Sequence, residues 1–292
     1  GRDFLKEYTI LLDIPYKAYG TPYHFAFYYG PNDFKIMNKV EFAGEKTNLE
    51  DIIPLGGALV GWINRIFTIP IFHWLKNHGV NFGIIILILT ILVKLIILPL
   101  TYKSYMSTAK MRAIRPEMEA LNAKYPNPDD AMKKQQATME LYQKAGISPM
   151  GGCLPMLIQM PILWAMFRFF PASIELRGEK FLWADDLSSY DSVLDLPFSI
   201  PFYGDHISLF ALLMAVALFG YSFLTYKQQA ATTSGQPGAG MMKFMMVYFM
   251  PIMMLCVMNS FSSGLCYYYF LSQLLTMIIM FAIRRSVNDE KV

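Results

Sequence analysis

Residues 82–100 read FGIIILILTILVKLIILPL, and this stretch decides the fold class. A helix needs about 20 apolar residues to cross the hydrocarbon core of a bilayer. The stretch approaches that length with a single charge, Lys94, so it predicts a transmembrane helix. Four further apolar stretches of similar length follow, at 150–170, 207–226, 241–261 and 264–283. We therefore predict an all-α polytopic membrane protein with a five-helix transmembrane core.

Composition supports a membrane protein and argues against several other classes. The chain is 54% hydrophobic and 16% charged, whereas soluble domains contain about 25% charged residues. The net charge of +3 is small and the basic residues do not alternate with aromatic ones, so we expect no sequence-specific nucleic-acid binding. Cys153, Cys256 and Cys266 lie in apolar stretches without CxxC spacing, which indicates neither a zinc site nor a disulfide framework.

Catalytic patterns are also missing from the sequence. No Asp or Glu falls within the predicted spans, the four histidines are widely separated outside them, and no GxSxG, HExxH or P-loop motif occurs. Intramembrane proteases and proton-coupled pumps usually need such groups. We therefore expect no enzymatic activity, no cofactor and no metal.

The region before the first span has ordinary polarity. Residues 1–58 contain two short period-two patches, at 25–29 and 33–37, with a turn signal at 30–33 between them. This pattern predicts β-strands, and we interpret residues 1–58 as the C-terminal part of a periplasmic β-rich domain. The chain begins GRD without a methionine, and we expect it to be cut from a longer precursor.

Two further segments are predicted to be helical outside the five spans. Residues 59–79 are apolar and aromatic but contain Asn64, Arg65, His73 and Lys76, which favours an amphipathic helix lying in the membrane interface. A sixth, kinked span is the alternative. Residues 102–148 are polar and carry an apolar stripe at helical spacing, which predicts a helical hairpin outside the membrane.

Loop charges predict the orientation, because basic residues are enriched in cytoplasmic loops. One side carries the basic residues of the hairpin and of the connection between the third and fourth spans. It also carries those at the end of the fifth span and in the tail at 286–292. These residues are Lys103, Lys110, Arg112, Arg115, Lys124, Lys133, Lys134, Lys144, Lys227, Lys243, Arg284, Arg285 and Lys291. The opposite side has Arg177 and Lys180. We therefore place the hairpin and the C-terminus in the cytoplasm and the N-terminal part outside.

Lys94 is the main candidate for function. A lysine at the centre of a span costs about 2.5–3.5 kcal/mol on insertion scales, so such residues are candidates by default. Snorkelling of its long side chain towards the cytoplasmic interface is an equally good explanation. Thr90 lies on the same helical face, and Gln159 and the tyrosines of the fifth span add polar groups that can line one hydrated cavity. Eight of the 21 methionines cluster in the fourth span, which suits contact with varied apolar partners.

Several motifs resemble the YidC family of bacterial membrane protein insertases, within the Oxa/Alb superfamily. The similar stretches are TILVKLIILPLT (90–101), AKMRAIRPEMEAL (109–121), GISPMGGCLPMLIQMPILWA (146–165), FSSGLCYYYFLSQ (261–273) and FYYGPNDFKIM (27–37). The resemblance extends over residues 30–285. It implies a five-helix core at 80–285 around a hydrophilic groove that is open to the cytoplasm and to lipid. It also implies a location in the bacterial inner membrane.

The resemblance also implies which residues act. Lys94 matches a position that is usually arginine in the family, so the charge is kept while the guanidinium fork is lost. The other matching groove or substrate-contacting residues are Thr90, Gln159, Met160, Pro161, Leu265, Tyr268 and Tyr269. The implied partners are nascent membrane proteins, the lipid bilayer, the ribosome and the Sec translocon. Two other readings stay open: a small-solute or ion channel or transporter, and a structural assembly partner in which Lys94 snorkels.

Overall fold

The protein is described by a computed structural model over residues 9, 11, 13–14, 20, 23–125, 130–146, 154–233 and 239–286. Helices make up most of these residues. Four of them are long and apolar enough to cross a membrane: Phe82–Met111, Leu209–Lys227, Gly240–Met258 and Ser263–Ser286. The predicted fold class, a polytopic all-α membrane protein, is confirmed.

The first span begins as predicted but ends much later. Helix α4 covers Phe82–Ala113 and passes through Pro99 without breaking. It therefore continues thirteen residues past Leu100, where the apolar run stops. The predicted hairpin begins inside this helix and continues as α5 (Arg115–Lys124) and α6 (Ala131–Lys144), which pack against each other. The break between them, 126–129, lies outside the described residues.

The other predicted spans are helical with small shifts of their ends. They are α7 (Leu154–Ala172), α8 (Leu209–Thr233), α9 (Ala239–Lys243) continuing through a π-helical segment (Phe244–Phe249) into α10 (Met250–Met258), and α11 (Ser263–Ser286). The second is the shortest, with a described apolar core of Leu157–Ala172. Its first predicted residues, 150–153, lie outside the described part.

Residues 58–77 form one helical rod with a π-helical segment in the middle. It consists of α2 (Ala58–Ile63), a π-helical segment (Asn64–Thr68) and α3 (Ile69–Asn77). The helix prediction for 59–79 is confirmed, while its position in the interface plane stays a prediction. Asn64 fixes the rod to the bundle, because its amide nitrogen donates to the carbonyls of Leu55 (3.0 Å) and Ala165 (2.9 Å).

Both π-helical segments end shortly before a proline. Pro70 follows the first segment by two residues and Pro251 follows the second by two. In the first, the Ile69 N–H donates to Asn64 O, five residues back. Proline has no N–H for a normal i−4 bond, and the wider turn before it keeps the chain helical.

The strand predictions for the N-terminal region are wrong. Residues 33–37 form no strand, because the Asp33 side chain accepts from the Ile36 N–H and caps a short helix, α1 (Phe34–Met37). Residues 23–29 pair with no strand in the described part of the chain. Among the described residues before α2, the strands are the two-residue β1 (Glu41–Phe42) and β2 (Glu45–Lys46), which pair antiparallel. The assignment of 1–58 to a larger β-rich domain stays a prediction.

The connection between α7 and α8 contains a hairpin that the sequence did not predict. Strand β3 (Leu194–Ile200) pairs antiparallel with β4 (Gly204–Ile207), with Asp195 opposite His206 and an irregularity before Ile200. The core of the bundle lies nearby, between α4, α7, α8 and α11. Its largest fully buried side chains there include Tyr268, Phe170, Phe210, Ile86 and Met166.

Candidate functional site

Lys94 lies in the middle of the apolar part of α4 and is almost entirely buried, with 8% of its surface exposed. Its Nζ donates to Gln159 Oε1 on α7 at 3.3 Å. Within the described part of the chain, no carboxylate lies within ion-pair distance of Lys94. The lysine is therefore held by a neutral amide, without a counter-charge.

The three predicted residues of α7 face different surroundings. Gln159 is half-buried at the contact with α4. Pro161 is half-buried and lines an apolar groove on another face of α7. Met160 is 41% exposed. The structure thus joins Gln159 to Lys94, while Met160 lies on the surface of the bundle.

Thr90 is fully buried one turn before Lys94. Its hydroxyl donates to the carbonyl of Ile86 at 2.7 Å, so its hydrogen is used within its own helix. This back-bond is common for threonine in apolar helices. The oxygen of Thr90 can still accept a hydrogen bond.

The predicted residues of α11 lie in the aromatic core. Leu265 and Tyr268 are fully buried and Tyr269 is 6% exposed. The Tyr268 ring packs on Phe170, with centroids 5.7 Å apart. Among the described residues, the buried Tyr268 hydroxyl has no hydrogen-bond partner. Within the part of the chain that the structure describes, the hydrogen bond of the Lys94 side chain goes to Gln159 and not to these residues.

Ser272 is a buried polar residue that the sequence reasoning did not select. A Cβ at Gly264 of α11 would lie 3.5 Å from Ile86 Cδ1 of α4, which sets the relative depth of the two packed helices. In an alternating five-span topology these helices run in the same direction. Lys94 follows Ile86 by eight residues, and Ser272 follows Gly264 by eight residues. Eight residues correspond to about 12 Å of helix. Ser272 therefore lies at about the depth of Lys94, and Tyr268 at about that of Thr90.

Asn259 belongs to a different polar cluster. The fourth span predicted at 241–261 includes Asn259, but α10 ends at Met258. Its amide donates to the carbonyls of Tyr203 (3.0 Å) and His206 (2.7 Å) and accepts from Ser208 N at 3.0 Å. It therefore ties the turn between the fourth and fifth spans to the hairpin before α8.

Asp191 caps α8 in the same cluster. Its carboxylate accepts from the backbone N–H groups of Leu209 (2.9 Å) and Phe210 (3.1 Å), from Ser208 and from the Trp183 indole. A carboxylate at this place satisfies orphan donors and favours the helix dipole. Both carboxylate oxygens of Asp191 accept hydrogen bonds within the cluster, so we interpret the cluster as structural rather than reactive.

A second cluster joins α3 to the end of α7. Asp33, His73 and Glu175 place one donor atom each within 4.8 Å of one another, which is a spacing that a metal ion can use. However, Glu175 Oε1 already accepts from His73 Nδ1 (3.1 Å) and from the Lys76 ammonium (2.9 Å). Burial alone would raise the pKa of Glu175, but these two hydrogen bonds outweigh it and hold the pKa below its ordinary value. We interpret the cluster as an ion-pair network.

Comparisons with known proteins agree with the motifs. The profile of the family described as 60Kd inner membrane protein matches residues 74–290. A Bacteroides fragilis protein named Membrane protein insertase YidC is 47% identical over 294 residues, which cover 100% of this chain and 47% of that protein. Proteins of the same name from Parabacteroides distasonis (46% over 298 residues, 99% and 46% covered) and Porphyromonas gingivalis (44% over 302 residues, 100% and 48% covered) are similar.

The chain spans about half the length of the curated relatives it matches. The family match, in contrast, includes α4, α7, α8, α10 and α11, together with Lys94 and every residue predicted to line the site. On this evidence the chain belongs to the 60Kd inner membrane protein family, the Oxa1/YidC family of membrane proteins.

Proposed function

We propose that this protein inserts client proteins into the inner membrane and assists their folding. The observation that carries the proposal is the Lys94–Gln159 pair: a cation in the middle of a span, 8% exposed and bonded to an uncharged partner. An ammonium group in an apolar interior is costly unless it is paired or hydrated. Ionisable residues within membrane spans commonly mark substrate or ion pathways.

The pair is proposed to keep a hydrated recess in the inner half of the bilayer. We define this recess by Lys94, Gln159, Thr90, Tyr268 and Ser272. The buried Tyr268 hydroxyl lacks a described partner, and buried hydroxyls of this kind are commonly satisfied by water. A client's short hydrophilic tail can enter such a recess without losing all its hydration.

Charge and lipid then supply the driving terms. Acidic residues of the client are attracted to Lys94, and the membrane potential drives negative charge outwards by about 2.3 kcal/mol per charge per 100 mV. Transfer of the client's apolar segment from water into lipid is the main favourable term. The proposed insertion needs no covalent step.

The exit path for the apolar segment is proposed to lie along α7 and the fourth span. The fourth span packs chiefly on α8, and many of its apolar side chains are exposed. These include Met241, Met242, Phe244, Met245, Met250, Ile252 and Met253. Met160 and Trp164 of α7 are exposed as well. Flexible, polarisable methionines adapt to clients of different sequence.

The proposed orientation places α5, α6 and the C-terminus in the cytoplasm and residues 1–58 in the periplasm. The helix at 58–77 would then lie at the periplasmic surface of the inner membrane. The polar hairpin formed by α5 and α6 is the proposed meeting place for the ribosome, and the membrane-embedded core is the proposed neighbour of the Sec translocon. Nascent membrane proteins are the proposed clients.

Insertion of a single-span client into proteoliposomes tests this function. We expect Lys94→Ala to reduce insertion about tenfold or more, equivalent to at least 1.4 kcal/mol, and Lys94→Arg to retain it because the charge is kept. Lys103→Ala is the matched control, since Lys103 is an exposed lysine on the same helix. Normal insertion by Lys94→Ala would contradict the proposal. Solute flux through the same vesicles that depends on Lys94 would favour a channel or transporter instead.

A further inference from the structure

The connection that leaves α7 crosses the end of the bundle at which α4 and α11 begin. We call residues 173–193 the strap. On its inner side, Leu176 and Leu187 are fully buried. On its outer side, Lys180 and Asp185 are exposed and pair with each other at 2.8 Å. The strap is therefore amphipathic, with an apolar face towards the helices and a charged face towards solvent.

Hydrogen bonds fix the strap to the beginning of α11. The carbonyl of Leu187 accepts from the Gly264 N–H at 3.0 Å and from the Ser262 hydroxyl at 3.0 Å. The Ser263 N–H donates to the carbonyl of Ser189 at 2.7 Å. The first N–H groups of a helix have no partner within that helix. The strap supplies acceptors for two of them in α11.

Phe181 attaches the strap to the beginning of α4. A Cβ at Gly83 would lie 2.1 Å from Phe181 Cδ2, so the ring lies directly on the helix backbone and an alanine at this position would displace it. The same ring packs on Tyr267 of α11, with centroids 5.1 Å apart. Two backbone hydrogen bonds with Ala184, each 3.0 Å, hold the turn that presents the ring. Phe181 therefore joins the strap to two core helices.

Trp183 attaches the strap to the beginning of α8. Its ring packs on Phe210 with centroids 4.4 Å apart, and its indole N–H donates to Asp191 at 2.8 Å. The strap thus contacts α4, α8 and α11, and it continues directly from α7. These are the four helices that enclose the core.

The strap lies over the outer side of the recess. The atoms closest to a Cβ placed at Gly264 are the backbone oxygen of Leu187 at 3.0 Å, Ile86 Cδ1 at 3.5 Å and Phe170 Cδ1 at 3.6 Å. Leu187 therefore covers the point at which α4, α7 and α11 meet. Tyr268, which belongs to the recess, follows Gly264 by one helical turn, about 6 Å.

We propose that the strap is the outer seal of the recess, and that Phe181 packed on Gly83 is the latch that keeps it closed. A hydrated recess in the inner half of the bilayer leaves a shorter barrier for ions on the outer side. Apolar constrictions exclude water and ions by dewetting, and the buried face of the strap adds such a layer. The role of the seal rests on the proposed function, because a dry core has no recess to close.

Access to a cysteine beneath the strap tests the proposal. In the full chain, with the three native cysteines replaced by alanine, Ile86→Cys is treated with a membrane-impermeant thiol reagent from the periplasmic side. We expect no labelling while the strap is closed, and labelling that is faster by about tenfold or more after Phe181→Ala, because a thiol must be hydrated to react. Leu182→Ala is the matched control. It shortens the neighbouring side chain, which is 68% exposed, and should leave Ile86→Cys unreactive.

Gly83→Ala opens the latch from the other side, since its Cβ displaces the Phe181 ring. It should raise labelling as much as Phe181→Ala does, and the double variant should label no faster than either single variant, because both remove the same contact. Thermal unfolding shows whether each variant is folded at the assay temperature. If Phe181→Ala is not, Phe181→Leu takes its place, since it keeps an apolar side chain on Gly83 and should raise labelling to a smaller extent.

The outcomes separate the seal from the proposed function, because the assay contains no client. Ile86→Cys that stays unreactive in folded latch variants would show that the helices close the bundle without the strap, and would overturn the proposal. Labelling of Ile86→Cys with the native strap would overturn it as well. If the latch variants admit the reagent while Gln159→Cys is unreactive from the cytoplasmic side, the strap is a seal and the hydrated recess is wrong.

Discussion

The Lys94 ammonium lies 3.3 Å from Gln159 Oε1, so a hydrogen bond joins the first and second helices of the core at the one charge of residues 82–100. A hydrogen bond to a charged group contributes about 1.5–3 kcal/mol. The amide orients the ammonium but leaves its charge uncompensated. Under the proposed function, such a cation is stabilised by water or by an anionic group of a client.

The first prediction concerns the coupling of this pair. Gln159→Leu removes the acceptor at similar volume, and we expect it to reduce client insertion several-fold. Because Gln159 acts through Lys94, the double variant with Lys94→Met should insert no worse than Lys94→Met alone. A double-mutant cycle on insertion rates measures the coupling, which we expect to be about 1 kcal/mol, the equivalent of the several-fold loss in Gln159→Leu alone. Additive effects would mean that the two residues act separately.

The second prediction concerns Ser272. If it lines the recess at the depth of Lys94, Ser272→Val should reduce insertion about threefold to tenfold, by replacing a hydroxyl with an apolar group. The control is Ser222→Val, which makes the same change at a buried serine of α8. The readout is insertion per folded protein in proteoliposomes. Equal effects of the two variants would place Ser272 in ordinary helix packing.

The third prediction concerns two glycines with different surroundings. A Cβ at Gly264 would lie 3.0 Å from the backbone oxygen of Leu187, to which the Gly264 N–H also donates. Gly264→Ala should therefore lower stability by about 1–3 kcal/mol through overpacking. At Gly220 the nearest atom, Met277 Sδ, is 3.5 Å away. Gly220→Ala should be neutral or stabilising by up to about 1 kcal/mol, and thermal unfolding in detergent compares the two.

The fourth prediction concerns pH and the contact that anchors the helical rod at 58–77 to the end of α7. The pKa of Glu175 is lowered from its ordinary value of 4.5 by its bonds with His73 and Lys76, which outweigh the opposing effect of burial. A lowered pKa gives stability that is complete above 4.5 and is lost as the pH falls through the folded value. Glu175→Gln should therefore destabilise the protein by about 1–3 kcal/mol at neutral pH.

The same variant provides the control for this pH effect. The stability difference between the native protein and Glu175→Gln should begin to shrink as the pH falls below about 4.5, because the unfolded state then takes up a proton at Glu175. It should be smallest below the lowered folded pKa, where both side chains are neutral. Asp185→Asn is the matched comparison, since Asp185 pairs with Lys180 on the exposed surface. That variant should change stability little. A constant difference between pH 7 and pH 4 would contradict the role assigned to Glu175.

The spans were predictable because their apolar runs are long. The start of α4 at Phe82 and the helices at 209–233 and 263–286 follow from hydropathy alone. The end of α4 did not follow from hydropathy, because residues 101–113 are polar. The helix nevertheless continues past Pro99 to Ala113. Pro70 and Pro251 alone did not predict the two π-helical segments, because Pro99 and Pro161 lie within continuous α-helices.

The candidate site was only partly predictable. Lys94 and Gln159 were selected as polar residues at mid-span depth, and the structure joins them. Asn259 was misplaced because the predicted fourth span was extended to Phe261, although the residues after Met258, NSFSS at 259–263, are mostly polar. The strand prediction at 33–37 failed because alternation over five residues is weak evidence beside a capping aspartate. The networks of Asp191 and Glu175 depend on contacts between distant segments, which a sequence pattern does not contain.

Water access at Gln159 is the most direct test of the central proposal. In a background where Cys153, Cys256 and Cys266 are alanine, Gln159→Cys is exposed to a membrane-impermeant thiol reagent from either side of the membrane. Only a hydrated thiol ionises and reacts at a useful rate. We expect labelling from the cytoplasmic side and none from outside, with the lipid-facing control Ile278→Cys unreactive. A Gln159→Cys variant as unreactive as Ile278→Cys from both sides would contradict a hydrated recess around Lys94.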